Sequence, residues 1–328
     1  MSKKLKTTER SAVFKPFNHE WAFDAWNAHE RVHWIFDEVG MTQDISDYKN
    51  KLNASERDFI RQILMFFTQG DSDVAEYYVK NVLPFFNNNE IRMMALGFAS
   101  REAIHQAAYS HLVETLGLPD KTYAQFMEYE EMANKHEYTS AHVLGDDPTP
   151  KQIAASLALF SGFTEGVQLF SSFVMLLNFA RTGTMLGVGK IVTMSMIDEN
   201  MHVEGMSKLF KTYVKENKIL DDELKKTIYD SAEKMVELEF AFIDFAFNGA
   251  DEFRGLGKED LKQYIKYIAD RRLLELGLKP IFKVKKNPLP WVSIMISAPK
   301  IENFFESTAV DYSKSNYSGS WDDVWNPK

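Results

Sequence analysis

The chain contains no cysteine among its 328 residues. Without thiols it cannot form disulfides, zinc ribbons or iron–sulfur clusters, and it cannot carry a cysteine nucleophile. Basic side chains are also in the minority, with 38 Lys and Arg against 47 Asp and Glu, which gives a formal net charge of −9. A surplus of negative charge repels the phosphates of nucleic acid and of anionic lipids, so neither is expected as a partner.

Neither a secretory signal nor a membrane span is expected. The N-terminal stretch Met1–Arg10 is basic and polar, and no apolar run follows it. Ile153–Ala180 is long enough to cross a bilayer. However, Glu165 lies near its middle, and a carboxylate there costs about 2.5–3.5 kcal/mol on insertion scales. A buried core helix that contains one carboxylate fits this segment better, and we expect a cytoplasmic protein.

Strand-like alternation of apolar and polar residues is weak throughout, so the sequence predicts an all-α fold. Short breaks separate the predicted helices, as in a bundle of antiparallel neighbours. Capping boxes are predicted at Ser55/Asp58 and at Thr149/Gln152. The expected helices are about Glu20–Asp37, Ser55–Leu83, Glu90–Leu116, Lys121–Lys135, Thr149–Gly183, Gly189–Asn217, Asp222–Phe247 and Lys258–Leu276.

No linker rich in proline, glycine or serine interrupts Glu20–Lys285. We therefore predict an N-terminal segment (1–19), one helical domain (20–285) and an extended C-terminal segment (286–328). Phe305–Lys328 is rich in Ser, Asp and Asn, which predicts a mobile tail. A frayed terminus is the simpler alternative. Spaced aromatic residues favour a tail that binds a partner, and these are Tyr312, Tyr317, Trp321 and Trp325.

Three Glu-x-x-His pairs place a carboxylate and an imidazole one turn apart on a helix face: Glu30/His33, Glu102/His105 and Glu199/His202. With eight His in the chain, roughly one such pair is expected by chance. Context distinguishes two of them. Asp71 lies in the predicted helix before Glu102, Glu165 lies in the one before Glu199, and both are embedded in apolar sequence. We interpret this as one unit that occurs twice, and we assign Glu30/His33 to chance.

Carboxylates on facing core helices need positive charge, because a buried unpaired carboxylate costs several kcal/mol or stays protonated. Oxygen and imidazole ligands suit iron or manganese. The pattern matches a ferritin-like helical bundle with a dimetal-carboxylate site between four core helices. A bundle with buried salt bridges is the alternative, but the surrounding runs supply only Arg61. We therefore predict two metal ions per chain, bound by Asp71, Glu102, His105, Glu165, Glu199 and His202.

Tyr109 lies four residues after His105, within about 60° of the same helix face. Its phenol is therefore expected close to the metals, although core packing is the ordinary role of such a tyrosine.

In order along the chain, Asp71, Glu102-Ala-Ile-His105 with Tyr109, Glu165, and Asp198-Glu199-Asn-Met-His202 resemble the motifs of class I ribonucleotide reductase small subunits. The resemblance covers about Trp21–Gly205. It implies a homodimer whose metal centre reacts with dioxygen and generates a radical on Tyr109. Iron is the expected metal and manganese the alternative.

The resemblance also implies a path for the radical. Trp34 stands in His33-Trp34-x-x-Asp37-Glu38-Val39 much as the family's relay tryptophan does. Asp198 would link Trp34 to His105, and Tyr317 or, less favoured, Tyr312 would continue the path in the tail. Through this tail the radical would reach a separate large subunit, whose cysteines reduce ribonucleotides. The absence of cysteine here agrees with that division of labour.

The pocket of the radical tyrosine departs from the family's pattern. Three bulky apolar residues usually surround it, and here they correspond to Leu169, Phe173 and Ser195. We therefore expect a shorter-lived or hydrogen-bonded radical. Tyr109 itself argues against the subgroup that has phenylalanine there and uses a mixed manganese–iron oxidant.

Other proteins on the same scaffold are the alternative functions: a desaturase, a ligand-binding oxidase or a ferroxidase. Neither Trp34 nor the aromatic tail is expected of a ferroxidase, and a desaturase is not expected to keep Tyr109 as a radical site. A non-enzymatic helical scaffold is the third hypothesis, and a metal analysis would distinguish it.

Overall fold

A computed structural model describes residues 4–297, without the side chains of Thr68, Gln69, Asp71 and Phe126. The predicted tail residues Tyr312 and Tyr317 lie outside the described residues, and so does the side chain of Asp71. The chain divides into two units between Leu289 and Pro290. The described part of the second unit is a helical segment, residues 290–297. The predicted domain boundary at 285/286 stays a prediction.

Helices dominate residues 4–289, which confirms the predicted all-α class. One antiparallel pair of two-residue strands occurs in this range, β1 (Glu252–Phe253) with β2 (Leu256–Gly257), where Glu252 lies opposite Gly257. The α-helices are α1 (Glu20–Glu30), α2 (Thr42–Asn50), α3 (Ala54–Tyr77), α4 (Asn89–Thr115), α5 (Glu130–Ser140), α6 (Pro150–Leu157), α7 (Phe170–Arg181), α8 (Leu186–Asn217), α9 (Asp222–Phe247) and α10 (Lys258–Glu275).

Two stretches of the described chain are π-helical. One, Tyr78–Val82, continues α3, and the other, Ala158–Gln168, joins α6 to α7. In the core α3 packs along α4, and α7 packs along α8, while the Ala158–Gln168 segment contacts α8, α9 and α10. The helical run Pro150–Arg181 is apolar enough to span a bilayer, but 94% of its most apolar window is buried inside the protein. This is the position of a core helix.

The first helix is shorter than predicted, since α1 ends at Glu30 and not near Asp37. The Arg101 guanidinium of α4 donates hydrogen bonds to the carbonyl oxygens of His29 (3.4 Å) and Val32 (2.7 Å). The side chain thus adds a hydrogen-bond donor for carbonyls at the point where the helix ends. Trp34 leaves the helical path as a result, and it is fully buried.

The second long helix begins with a different cap from the predicted one. Asn53 accepts a hydrogen bond from the backbone N–H of Glu56 (3.0 Å), and the Glu56 carboxylate accepts one from the backbone N–H of Asn53 (2.8 Å). Asp58 is engaged elsewhere, because its carboxylate pairs with Arg61. The capping box predicted at Thr149/Gln152 is confirmed.

The helix predicted at Lys121–Lys135 is wrong. Two 3₁₀ turns, Asp120–Tyr123 and Gln125–Glu128, occupy its first part, and α5 runs beyond its predicted end. α5 continues because its buried face includes Lys135 and Thr139, which both bond to Gln168 in the π-helical segment.

α2 was not predicted, and its acidic residues organise the start of α8. Asp44 accepts hydrogen bonds from the backbone N–H groups of Gly187 (3.0 Å) and Val188 (2.9 Å), and Asp47 accepts one from Met185 (3.1 Å). These carboxylates satisfy the free donors at the helix N-terminus. α8 therefore begins at Leu186, three residues before the predicted Gly189.

A buried ion pair connects α5 to α9. Lys135 and Glu239 are both fully buried and in contact with each other. The Lys135 ammonium also lies 4.0 Å from the ring centre of Phe66 and 4.3 Å from that of Phe242. Burial lowers the pKa of Lys135 and raises the pKa of Glu239, and each partner opposes the shift in the other. The pair is therefore stable only while both members are present.

We expect Lys135→Met to lower the free energy of unfolding by about 3–5 kcal/mol, because it leaves the Glu239 carboxylate buried without its cation. Lys135→Met/Glu239→Leu should recover most of this loss, since it removes both charges. Chemical denaturation followed by circular dichroism measures both effects. Lys151→Met is the matched control, because its ion pair with Asp221 is exposed and should contribute little. Equal losses in Lys135→Met and in Lys151→Met would contradict the assignment.

Candidate metal centre

Three elements bring five predicted ligands together in the core. α4 supplies Glu102 and His105, α8 supplies Glu199 and His202, and the π-helical segment supplies Glu165. None of these five residues is more than 2% exposed. The sixth predicted ligand, Asp71, lies in α3, but its side chain is outside the described residues.

Two carboxylates lie between the two imidazoles. Glu102 directs Oε2 towards His105 Nδ1 (3.2 Å) and Oε1 towards His202 Nδ1 (3.0 Å). Glu199 repeats the arrangement, with Oε1 at 3.3 Å from His105 Nδ1 and Oε2 at 3.5 Å from His202 Nδ1. Glu165 Oε1 lies 3.3 Å from His202 Nδ1. Glu102, Glu165, Glu199 and the two histidines could therefore hold metal ions between them, with carboxylate oxygens and imidazole nitrogens as the donors.

Both histidines turn Nδ1 inwards and hold Nε2 against an outer partner. His105 Nε2 lies 3.1 Å from Asp198 Oδ2, and the same oxygen accepts a hydrogen bond of 2.7 Å from Trp34 Nε1. The Trp34 ring also stacks on the His105 ring at 5.9 Å. The structure thus brings Trp34, Asp198 and His105 into one connected group, as the resemblance implied. Such outer partners fix the orientation and tautomer of a ligating imidazole.

The outer partner of His202 is a residue that sequence reasoning missed. His29 of α1 places Nε2 at 3.2 Å from His202 Nε2. Burial, followed by the charge of His202, lowers the pKa of His29 to about 3. His29 is therefore neutral at physiological pH and can accept a hydrogen bond from the outward nitrogen of His202. No pattern in the sequence points to this histidine, because its contact is with a distant helix.

The electrostatics of the cluster favour bound positive charge. Burial alone would lower the pKa of His105 and His202, but the facing carboxylates outweigh burial and raise both pKa values well above the usual one. Burial raises the pKa of Glu165 to about 7. Among the described residues, no lysine or arginine forms an ion pair with Glu102, Glu165 or Glu199. In the described part of the chain, the two histidines are therefore the only basic partners that a bundle held by buried salt bridges, the alternative to a metal site, would have here.

Tyr109 lies on the His105 side of the cluster, with 6.3 Å between the ring centres of Tyr109 and His105. Its ring stacks on Phe67 at 4.6 Å, and Phe67 lies 5.1 Å from Phe173. Sequence reasoning did not single out Phe67, although it ends an apolar run of α3. Leu169 and Ser195, the other expected pocket residues, are buried as well.

A second tyrosine lies on the other side, next to His202. The Tyr78 hydroxyl donates a hydrogen bond of 2.7 Å to Glu165 Oε1. Nothing in the spacing of the motifs indicates this contact. The third Glu-x-x-His pair lies elsewhere, because Glu30 and His33 are both exposed at the end of α1. Its assignment to chance agrees with this position.

The family model of the ribonucleotide reductase small chain matches residues 11–288. A protein of Invertebrate iridescent virus 6 named "Probable ribonucleoside-diphosphate reductase small subunit 376L" is 46% identical, and the alignment covers 95% of this chain and 97% of that protein.

Two solved structures share the fold. The ribonucleotide reductase R2 subunit from Clostridium botulinum superposes with a TM-score of 0.79 at 25% identity, over 84% of this chain and 88% of that chain. The dimanganese(II)-NrdF of Streptococcus sanguinis gives a TM-score of 0.77 at 19% identity, over 88% of this chain and all of that chain. The motifs, the buried cluster and these similarities agree, and the chain belongs to the family of ribonucleotide reductase small subunits.

Proposed function

We propose that this chain binds two metal ions in the Glu/His cluster, forms a radical on Tyr109 and delivers it to a separate large subunit that makes deoxyribonucleotides. The observation that carries the proposal is the position of Glu102 and Glu199, each with one oxygen towards His105 and the other towards His202. A single proton could be shared by one carboxylate oxygen and one histidine. Two carboxylates that each face both histidines instead form an arrangement that suits two divalent ions.

The donor atoms fit such ions. Glu102 Oε1, both oxygens of Glu199 and His202 Nδ1 are buried, and beyond their contacts within the cluster they have no hydrogen-bond partner in the described part of the chain. All of them face the same small space, since one ligand atom each from Glu102, Glu165, Glu199 and His202 lie within 4.8 Å of one another. Carboxylate oxygen with imidazole nitrogen suits iron, and it suits manganese equally. The neighbour from Streptococcus sanguinis is named a dimanganese(II) protein, which supports manganese as the alternative to iron.

Bound metal ions would react with dioxygen and supply the oxidising power that a tyrosine radical requires. The residues of this chain keep water away from Tyr109. Tyr109 is fully buried, and Phe67 covers its ring. Exclusion of water and of external reductants protects an oxidised side chain from being quenched. The Ser195 hydroxyl is also buried, and it has no hydrogen-bond partner among the described residues, so we propose a hydrogen-bonded or shorter-lived radical.

The path outwards would begin at His105. Asp198 accepts from Trp34 Nε1 and contacts His105 Nε2, so one carboxylate connects the indole to a metal ligand. Tyr317, or less favourably Tyr312, would continue the path in the tail to the large subunit. We further propose that the protein acts as a homodimer in the cytoplasm.

The first prediction concerns metal content. Purified protein should bind close to two transition-metal ions per chain, and Glu102→Ala or His202→Ala should lose at least one, because each removes a ligand that the cluster requires. Elemental analysis after loading with iron or manganese measures this. Glu30→Ala and His33→Ala are matched controls from the exposed third Glu-x-x-His pair, and they should keep both ions. Full metal content in the Glu102 and His202 variants would refute the site.

The second prediction concerns the radical. Oxidised protein should show an unpaired electron on Tyr109 by electron paramagnetic resonance. Tyr109→Phe should bind metal normally but fail to support ribonucleotide reduction, since phenylalanine cannot form a phenoxyl radical. Tyr264→Phe, which alters a buried tyrosine of α10, should change neither property. Full activity in Tyr109→Phe would place the radical elsewhere or on the metals themselves.

The third prediction concerns the tail. Removal of the residues after Phe305 should abolish turnover with the large subunit and leave metal content and Tyr109 oxidation intact, because a polar segment with spaced aromatics can become ordered on a partner. The assay combines the truncated protein with the large subunit and measures deoxyribonucleotide formation. Unchanged turnover would mean that the tail is only a frayed end.

A further inference from the structure

Tyr78 has no part in the proposed radical path, yet it contacts the Glu/His cluster. It is the first residue of the π-helical turn Tyr78–Val82 at the end of α3. Its side chain is fully buried, and its hydroxyl donates to Glu165 Oε1 at 2.7 Å. The same oxygen lies 3.3 Å from His202 Nδ1. One oxygen of a predicted ligand residue thus links the phenol to the His202 side of the centre.

On both sides of the centre, a buried tyrosine lies close to a histidine of the cluster. Tyr109 and His105 have ring centres 6.3 Å apart, and Tyr78 and His202 also have ring centres 6.3 Å apart. Phe67 covers Tyr109, whereas Phe98 lies edge-on to Tyr78 at 6.1 Å. Proximity and dryness are the features that make Tyr109 the candidate radical site, and Tyr78 has both.

Tyr78 also has a visible proton acceptor. An oxidised phenol releases its proton readily, and in an apolar site a charge that stays behind is costly. The hydroxyl donates its hydrogen bond to Glu165 Oε1 at 2.7 Å, so its proton already points at the acceptor before oxidation. A carboxylate oxygen in hydrogen-bonding contact can receive the proton as the electron leaves.

We propose that Tyr78 is a second oxidisable tyrosine of the metal centre, with Glu165 as its proton acceptor. The phenol gives one electron to the oxidised metal pair, which is thereby reduced by one electron. The O–H bond breaks, the proton moves to Glu165 Oε1, and a neutral phenoxyl radical remains. Because Asp198 and Trp34 adjoin His105 and not Tyr78, this radical does not replace that of Tyr109 in turnover. The inference rests on the proposed oxidising metal centre.

The experiment uses full-length protein loaded with ferrous iron, exposed to dioxygen and frozen at short times for electron paramagnetic resonance. Ring-deuterated tyrosine identifies tyrosyl signals by their narrowed hyperfine pattern. Tyr109→Phe should retain a tyrosyl signal. Addition of Tyr78→Phe should abolish it, whereas addition of Tyr77→Phe should leave it unchanged. Tyr77 is the matched control, because it is the adjacent buried tyrosine but its hydroxyl bonds to Ser156 and not to a predicted ligand.

The outcomes separate this inference from the proposed function. A tyrosyl signal in the wild type that disappears completely in Tyr109→Phe, with metal content unchanged, overturns the role of Tyr78 and leaves the proposed function intact. No tyrosyl signal in metal-loaded wild type overturns both. A wild-type signal that survives Tyr109→Phe in full but is lost in Tyr78→Phe alone supports the inference and overturns the role of Tyr109.

Metal content is measured in every variant, because Tyr78→Phe removes a hydrogen bond to Glu165. If that variant fails to bind metal, aminotyrosine at position 78 in the Tyr109→Phe background keeps the hydroxyl and the ring. It should then give a radical with additional nitrogen hyperfine splitting. Absence of that signal from metal-loaded protein would overturn the proposal.

Discussion

The constraint on which the structure depends is the negative charge gathered in its dry centre. Glu102, Glu165 and Glu199 are buried among helices, and each would cost several kcal/mol if it stayed ionised and unpaired. A cation bound among these side chains would offset that cost, provided that the side chains are held in place for it. The outer contacts serve that purpose, since Asp198 orients His105 and His29 orients His202. Burial of these carboxylates lowers the folding stability at the centre, and burial of the apolar side chains around the cluster compensates for that loss.

Side chains from the outer helices hold the π-helical segment that carries Glu165. Glu165 lies within Ala158–Gln168, where the ordinary helical pairing of backbone groups is disturbed. Arg272 of α10 donates to the carbonyl oxygen of Gly166 (3.0 Å), and Lys135 of α5 donates to that of Gln168 (2.8 Å). Gly166 permits the first contact, because a Cβ there would lie 2.8 Å from Arg272 Nε. Two cations from the outer layer thus hold the segment that carries a predicted ligand.

The sequence predicts best what is local in the chain. Glu102 and His105, one turn apart in an apolar helix, could be recognised because helical periodicity places both on one face. Tyr78 and His29 could not, because their partners Glu165 and His202 lie on other helices and no periodicity connects them. The same limit explains α2, whose apolar pattern is weak. The carboxylates of α2 cap the N-terminus of α8. This contact can be recognised only when the two helices are seen side by side.

The duplicated unit supplies similar ligands to both halves of the centre, but the outer partners differ. On the His105 side, Asp198 is an anion that also holds Trp34, and burial of its charge is offset by His105 and Arg101. On the His202 side, His29 is neutral. A carboxylate can hold positive charge on an imidazole and an indole during electron transfer, whereas a neutral imidazole cannot do so equally well. In the proposed function, this difference directs the radical outwards through Trp34, although the ligands themselves are nearly symmetric.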